Sequence, residues 1–328
     1  MLGLKCDFLG RWVFMTQKPL ISVLIPTYNS PDLWDTLQSL IQQDYPHIQP
    51  VLVDDGSTDF DLEKTEQFFR DKNRGNLEQI TVLCNEQNRG TVYTMNRGLS
   101  HCKGKLIFNL AGDDRFADPQ VLSDWVAAFQ TTGAQVMTGY RRIYDEALSQ
   151  CFGTEPTAEQ VQGLQEKSPR ELFEDLAKAN YVFGSATART AESFRKYGIY
   201  DENYRLIEDH PAILKLLRMG ESIVFFDRVV VKCRVGGASS AQNYNEAYAR
   251  DVDRILTQEV LPYTQHPKTM KRAYAQWKRE QGILKKRAAL FQRFGTGAVA
   301  KAAIGLWYYG HHPIRVICKL PQKLLKKR

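Results

Sequence analysis

Residues 20–59 read LISVLIPTYNSPDLWDTLQSLIQQDYPHIQPVLVDDGSTD, and this stretch decides the fold. Leu20 to Ile25 is an apolar, β-branched run, the pattern of a strand buried on both faces. Pro26 is expected to end it, leaving Thr27-Tyr28-Asn29 as a polar loop. Ser30 then reads as a helix cap with Pro31 at the first position, where a missing N–H costs nothing. Leu33, Trp34, Leu37, Leu40 and Ile41 share one helical face. A second strand, Val51 to Val53, ends at Asp54-Asp55-Gly56-Ser57. The unit is βαβ, and its crossover is expected to be right-handed. Ligands in such sheets sit beyond the carboxyl ends of the strands, so Thr27-Tyr28 and Asp54-Asp55 mark a candidate nucleotide cleft.

The same alternation continues downstream. Ser57 to Arg70 reads as a helix packing through Leu62, Phe68 and Phe69, and Ile80 to Leu83 as a third strand. Asn85 to Gly90 is a polar loop before a helix from Thr91 to Cys102. A fourth strand, Leu106 to Leu110, ends at Ala111-Gly112-Asp113-Asp114-Arg115. A helix follows from Asp118 to Phe129, then a strand from Val136 to Tyr140 and a stretch from Cys151 to Lys167 that reads as a mobile polar insertion. Helices are expected over Pro169–Lys178 and Thr190–Tyr197, around a small-residue stretch from Val182 to Ala188 suited to lining a pocket. A helix from Pro211 to Met219, closed by Gly220, leads to strands at Ile223–Phe226 and Val229–Val231. After Gly236-Gly237 the composition shifts to Ala, Arg, Gln and Tyr at helical spacing as far as Phe294. The expected division is a poorly ordered extension (1–18), an α/β domain (19–240) and a helical region with a basic tail (241–328).

A chain of 328 residues can bury one sizeable α/β core and a smaller appendage. Its 43% hydrophobic and 25% charged content is that of a globular protein and excludes a disordered chain. The six cysteines (Cys6, Cys84, Cys102, Cys151, Cys233, Cys318) are scattered without a C-x-x-C pair. That argues for reduced thiols in a cytosolic protein over a zinc site or a disulfide framework. Asp7 and Arg11 interrupt the first eighteen residues, which do not read as a secretory signal, and Met15 is a candidate start.

The net charge of +7 is unevenly spread: residues 311–328 carry Arg315, Lys319, Lys323, Lys326, Lys327 and Arg328 with no acid. Just before them, 295–309 read GTGAVAKAAIGLWYY, with Lys301 as the only charge. At about 1.5 Å per residue this is too short for a hydrocarbon core about 30 Å thick. Its aromatic end and the basic segment suggest reversible attachment to an anionic membrane surface at the inner face. The bland alternative is a helix packed back on the α/β domain with a solvated basic end.

Four features carry candidate chemistry. Asp54-Asp55-Gly56-Ser57 is either a plain turn or a place where a carboxylate accepts from the N–H of a nucleotide base. Asp113-Asp114 is sharper, because adjacent ionised carboxylates repel unless a cation compensates. Mg²⁺ or Mn²⁺ takes few protein carboxylates and completes its shell with phosphate oxygens. Otherwise the pair complements the dipole of the next helix, and the same choice faces Glu208-Asp209, whose functional reading is a general base. Arg89, between Asn88 and Gly90, is either a loop residue or a guanidinium within reach of phosphate.

The order SVLIPTYNS, VLVDDGSTD, NRG, GKLIFNLAGDD and IEDHPAILKLLRMG resembles the family 2 glycosyltransferases of GT-A fold, over roughly residues 20 to 240. The resemblance implies a mixed, mostly parallel central sheet flanked by helices, with a C-terminal helical extension. It implies an inverting transfer from a nucleotide-sugar donor, a UDP-sugar first of all, to a glycan or lipid-linked acceptor, assisted by a divalent metal (Mn²⁺ or Mg²⁺). Nucleic acid is not an expected partner. By matching position, the Pro26-Thr27-Tyr28 loop and Asp55 would hold the uridine, and Asn88-Arg89-Gly90 would face the donor. Asp113 would hold ribose, Asp114 the diphosphate-bound metal, and Asp209 would be the base.

This chain departs from the family pattern at named places. Many relatives carry D-x-D-D, and here the leading position is Ala111. No histidine follows Val231 until His266, although some relatives supply a late one to the metal. The Q-x-x-R-W of processive synthases is absent, which points to single additions. Two other classes stay open. A sugar nucleotidyltransferase would show a Gly-rich loop where Pro26-Thr27-Tyr28-Asn29 stands. A non-catalytic sugar-nucleotide or glycan binder, which Ala111 keeps open, would fail to hydrolyse UDP-sugars with metal.

Overall fold

The computed structural model describes residues 18–235 and 245–294. Residues 1–17 with the candidate start Met15, the Gly236-Gly237 boundary, and the apolar and basic segments of 295–328 lie outside the described residues.

In chain order the elements are β1 (Ile21–Thr27), α1 (Leu33–Ile41), β2 (Ile48–Asp54), α2 (Leu62–Lys72), β3 (Thr81–Cys84), α3 (Thr91–Leu99) and β4 (Leu106–Asn109). Then come β5 (Arg115–Phe116), α4 (Val121–Thr132), β6 (Val136–Tyr144), β7 (Cys151–Glu155), α5 (Ala158–Glu166), α6 (Pro169–Leu176), β8 (Thr187–Thr190) and α7 (Ala191–Tyr197). The remainder is α8 (Asp209–Arg218), β9 (Val224–Arg234), α9 (Glu246–Arg254), a π-helical stretch (Ile255–Val260) and α10 (Pro267–Phe294).

The strands form one sheet in the order β3-β2-β1-β4-β8-β6-β9-β5, with β7 beside β6. β3, β2, β1 and β4 pair in parallel, and β8 runs against both β4 and β6. Since β6 and β9 are parallel, six strands point one way and β5, β7 and β8 the other. The sheet is therefore mixed and mostly parallel, as the resemblance implies.

Both faces are covered, which explains why the early strands are continuously apolar. Leu24, Val51 and Val53 meet α3, α6 and α8 on one face. Ile21, Val23, Ile25 and Leu52 meet α1 and α4 on the other. Ile255, Leu256, Val260 and Met270 belong to the first cluster, so the helices after residue 245 share the core of the sheet.

Several expected boundaries move, each because of a specific hydrogen bond or cap. β1 runs through Pro26 to Thr27. The Pro26 carbonyl accepts from Gly112 N at 2.9 Å, so the missing N–H faces the β4 side, beyond the last β4 pairing at Asn109. Ser30 does not cap α1. Its hydroxyl donates to the Gly112 carbonyl at 2.7 Å, and the helix starts at Leu33 after Asp32. α2 starts at Leu62, not Ser57, because Ser57 N donates to the Asp54 carboxylate (2.8 Å) and Asp61 is the cap. Leu62 itself is exposed.

The expected pair of strands after Ile223 is one strand, β9, whose register against β6 shifts around Asp227-Arg228. The polar insertion is ordered. It forms β7 and α5, and Thr157 and Gln160 close a capping box at the start of α5.

Candidate active site

The parallel strands all deliver their carboxyl ends to one rim, and hydrogen bonds between the loops there build the site. Asp55 N donates to the Thr27 carbonyl at 2.8 Å, joining the end of β2 to the end of β1. Asn29 N donates to Ser57 Oγ (2.7 Å) and Thr58 N donates to Asn29 Oδ1 (3.0 Å). The turn after β4 comes in over Thr27, where a Cβ on Gly112 would lie 2.5 Å from Thr27 Oγ1. Only glycine fits that approach. Tyr28 stands 51% exposed on this rim.

Asp55 is buried, and its carboxylate organises the neighbouring loop. Oδ1 accepts from Asn85 Nδ2 and Arg89 N, both at 2.8 Å, and Oδ2 accepts from Gly90 N at 2.8 Å. The Asn88-Arg89-Gly90 loop is thus held against the end of β2. Gly90 has φ +95° and caps α3. The Arg89 guanidinium lies 4.3 Å from the Tyr93 ring centroid, at the mouth of the loop.

Asp113 and Asp114 follow at the end of β4. Burial pushes the Asp114 carboxyl up to about 7, and the neighbouring Asp113 charge adds to this. Burial also raises Asp113, against the opposing pull of Arg234. Beside them the buried Cys233 thiol is pushed well up, first by burial and then by Asp114.

Arg234, at the end of β9, ties this corner together. Its backbone N–H donates to Asp114 Oδ1 (3.2 Å), and its guanidinium donates to the Asp113 carbonyl (2.6 Å), the Glu146 carbonyl (3.0 Å) and Asp35 Oδ2 (2.5 Å). That side chain is 7% exposed. A charged residue closing an apolar strand was its only signal in the sequence.

The carboxylate pair is the candidate place for a hard divalent cation. No group of three or more His, Cys, Asp or Glu among the described residues could hold a metal by itself. Asp113 and Asp114 supply two carboxylates whose ionisation burial disfavours and a cation would restore, with a diphosphate completing the shell.

Asp209 opens α8 across the rim. Its Oδ2 accepts from Gly184 N (2.8 Å) and Asn180 Nδ2 (3.4 Å), and its Oδ1 accepts from His210 N (2.6 Å). The Gly184 carbonyl accepts from Asn109 Nδ2 (3.4 Å) at the end of β4, so one residue links Asp209 to the strand whose following turn carries Asp113 and Asp114. A Cβ on Gly184 would lie 2.7 Å from Glu208 Oε1. Burial, with the Asp209 charge second, pushes the Glu208 carboxyl up to about 8.

Asp251, on α9, has no signature in the sequence. It is buried and accepts from the backbone N–H groups of Arg205, Leu206 and Ile207, the segment leading into Glu208-Asp209. Arg205 in turn donates to Asn88 Oδ1 at 2.6 Å. One helix beyond the expected boundary therefore holds both the base candidate and the Asn88–Gly90 loop.

The sequence model described as Glycosyl transferase family 2 matches residues 22–198. The glycosyltransferase GlyG of Streptococcus pneumoniae is 25% identical over 248 residues, covering 74% of this chain and 79% of its own. Among solved structures, S. aureus TarS 1–349 in complex with UDP-GlcNAc aligns with a TM-score of 0.56 at 19% identity, over 89% of this chain and 80% of that one. The mannosyltransferase PcManGT from Pyrobaculum calidifontis, in complex with GDP-Man and Mn²⁺, aligns at 0.52 and 18% identity, over 92% and 83%.

Proposed function

Because this chain belongs to glycosyl transferase family 2 and has the GT-A fold, we propose that it moves a sugar from a UDP-sugar to a hydroxyl of a glycan or lipid-linked acceptor, with inversion and by single additions. The observation that carries this reading is a run of loop-to-loop hydrogen bonds along one rim: Asp55 N to the Thr27 carbonyl, Gly112 N, just before Asp113-Asp114, to the Pro26 carbonyl, and Asn109 through Gly184 to Asp209.

Tyr28 and the end of β2 would take the base, with Asp55 fixing the Asn88-Arg89-Gly90 loop against it. Asp114, with Asp113, would hold the divalent cation (Mn²⁺ or Mg²⁺), which when bound offsets the charge of the departing diphosphate. Asp209 would take the proton of the attacking hydroxyl, and its bonds to Gly184 N and Asn180 fix the direction it faces. Displacement in line at the anomeric carbon needs no covalent intermediate and inverts the configuration.

Support for UDP comes from the TarS complexes with UDP and UDP-GlcNAc, and support for a metal from the PcManGT complex with Mn²⁺. The basic tail would place the enzyme peripherally on the inner face of a membrane.

The test is a nucleotide-sugar panel. UDP-GlcNAc, UDP-glucose and GDP-mannose are scored by thermal shift and nucleotide release, with Mn²⁺ and with EDTA. A UDP-sugar that stabilises the protein and is slowly hydrolysed in Mn²⁺ is the expected result. A panel in which no nucleotide sugar binds would overturn the reading.

A further inference from the structure

A groove of about 800 Å³ lies between α9, α10 and the 203–205 segment, apart from the rim where the carboxylates meet. One wall carries Tyr274 and Trp277, whose rings stack at 5.6 Å with planes 19° from parallel. The Tyr274 hydroxyl bonds Asp253 on α9, and Lys278 pairs with the same carboxylate at 3.4 Å, so the aromatic wall is fixed from the opposite helix.

The charge of the groove is set by which acids are already engaged. Asp251 is taken up by three backbone N–H groups and Asp253 by Tyr274 and Lys278. Glu246 is left facing a surplus of Arg205, Arg250 and Arg254. Arg250 is exposed and has no ion pair or hydrogen bond among the described residues. The Tyr274 ring is flanked by Trp277 and by the Lys278 ammonium at 4.9 Å, so the apolar face for the C–H side of a sugar ring is that of half-buried Trp277, and guanidinium groups beside it match carboxylate or phosphate in a two-pronged fashion.

We propose that this groove binds an anionic stretch of the acceptor, a glycan whose sugars carry carboxylate or phosphate groups. The proposal rests on the transferase reading and adds the class of acceptor to it. Its link to the catalytic rim is direct: Arg205 lines the groove and holds Asn88, while Asp251 on the groove wall fixes the backbone leading to Asp209.

The experiment titrates the full chain with oligogalacturonate, a phosphorylated mannan oligosaccharide, neutral maltoheptaose and a single-stranded oligodeoxynucleotide, with UDP plus Mn²⁺ as a separate arm. One or both anionic oligosaccharides should bind at low salt and weaken as salt rises, with maltoheptaose weaker, and the stronger of the two identifies the anionic group. Trp277→Ala and Arg250→Glu should each weaken that binding by about tenfold. Arg250 is exposed, so its variant keeps the test valid if Trp277→Ala disturbs folding. UDP binding without binding of either anionic oligosaccharide, or variants that bind them like the parent, overturns the groove while leaving the transferase reading intact. Loss of UDP binding alone overturns that reading instead, and tighter binding of the oligodeoxynucleotide overturns the choice of ligand.

Discussion

The carboxylate of Asp251 accepts the backbone N–H of Leu206 at 2.6 Å, across 45 residues of chain. Neither residue touches the candidate donor site, yet the bond sets where the Glu208-Asp209 segment begins. Arg205 N and Ile207 N donate to the same carboxylate, so its loss strands three backbone donors. Each unsatisfied buried donor costs about 1–3 kcal/mol. Asp251→Ala is expected to lower stability by about 3 kcal/mol in urea denaturation, allowing for partial rescue by water. Asp251→Asn, which keeps one acceptor oxygen, should fall between the two. An unchanged unfolding midpoint in the alanine variant would mean that α9 does not hold this segment.

A second expectation concerns the metal. With Ala111 in the leading position, Asp114→Ala leaves Asp113 alone to hold a cation. The enhancement of UDP affinity by Mn²⁺, read by calorimetry against an EDTA control, should shrink by about ten- to hundredfold. If Mn²⁺ still tightens UDP binding to the same degree in the variant, the metal is held elsewhere.

The fold was legible because its signals are local. Continuous apolar strands, each ending in Asp-Asp or a polar loop, specify a sheet covered on both faces, and β1, β2, β3 and β4 stand within a few residues of where periodicity puts them. Several differences between expectation and structure lie where a side chain has a long-range partner. Ser30 looks like a cap until Gly112, 82 residues on, takes its hydroxyl. Arg234 and Asp251 were illegible for the same reason, since their partners are backbone atoms brought close only by folding. The stretch from Cys151 to Lys167 looked mobile on polarity alone, yet pairing of β7 with β6 and the Arg141–Glu155 ion pair (2.7 Å) order it.

The tail gives a third expectation, drawn from its sequence. Removal of everything after Phe294 takes away the GTGAVAKAAIGLWYY segment and all six basic residues from Arg315 onward. Each Lys or Arg near an anionic leaflet contributes about 1 kcal/mol, so the full chain should sediment with phosphatidylserine vesicles at low salt and be released at high salt. The truncated chain should remain in the supernatant. Equal sedimentation of both would rule out the tail as an anchor.

The last expectation separates two adjacent carboxyls. Asp209 accepts from Gly184 N, Asn180 and His210 N, whereas the Glu208 carboxyl is pushed up to about 8 by burial and then by Asp209, against a bond from its own backbone N–H. An acid raised from 4.5 to about 8 on folding contributes stability that is full below its unfolded value and is lost as pH rises through the folded one. Glu208→Gln removes that loss, so its melting temperature should gain on the parent between about pH 5 and about pH 8 and keep the gain above that. Asp209→Asn should leave UDP affinity unchanged and lower kcat by about 10²–10⁴-fold, because an amide keeps the bonds to Gly184 and Asn180 but cannot take a proton. If Glu208→Gln produced the kinetic loss and Asp209→Asn did not, the proton acceptor would be Glu208.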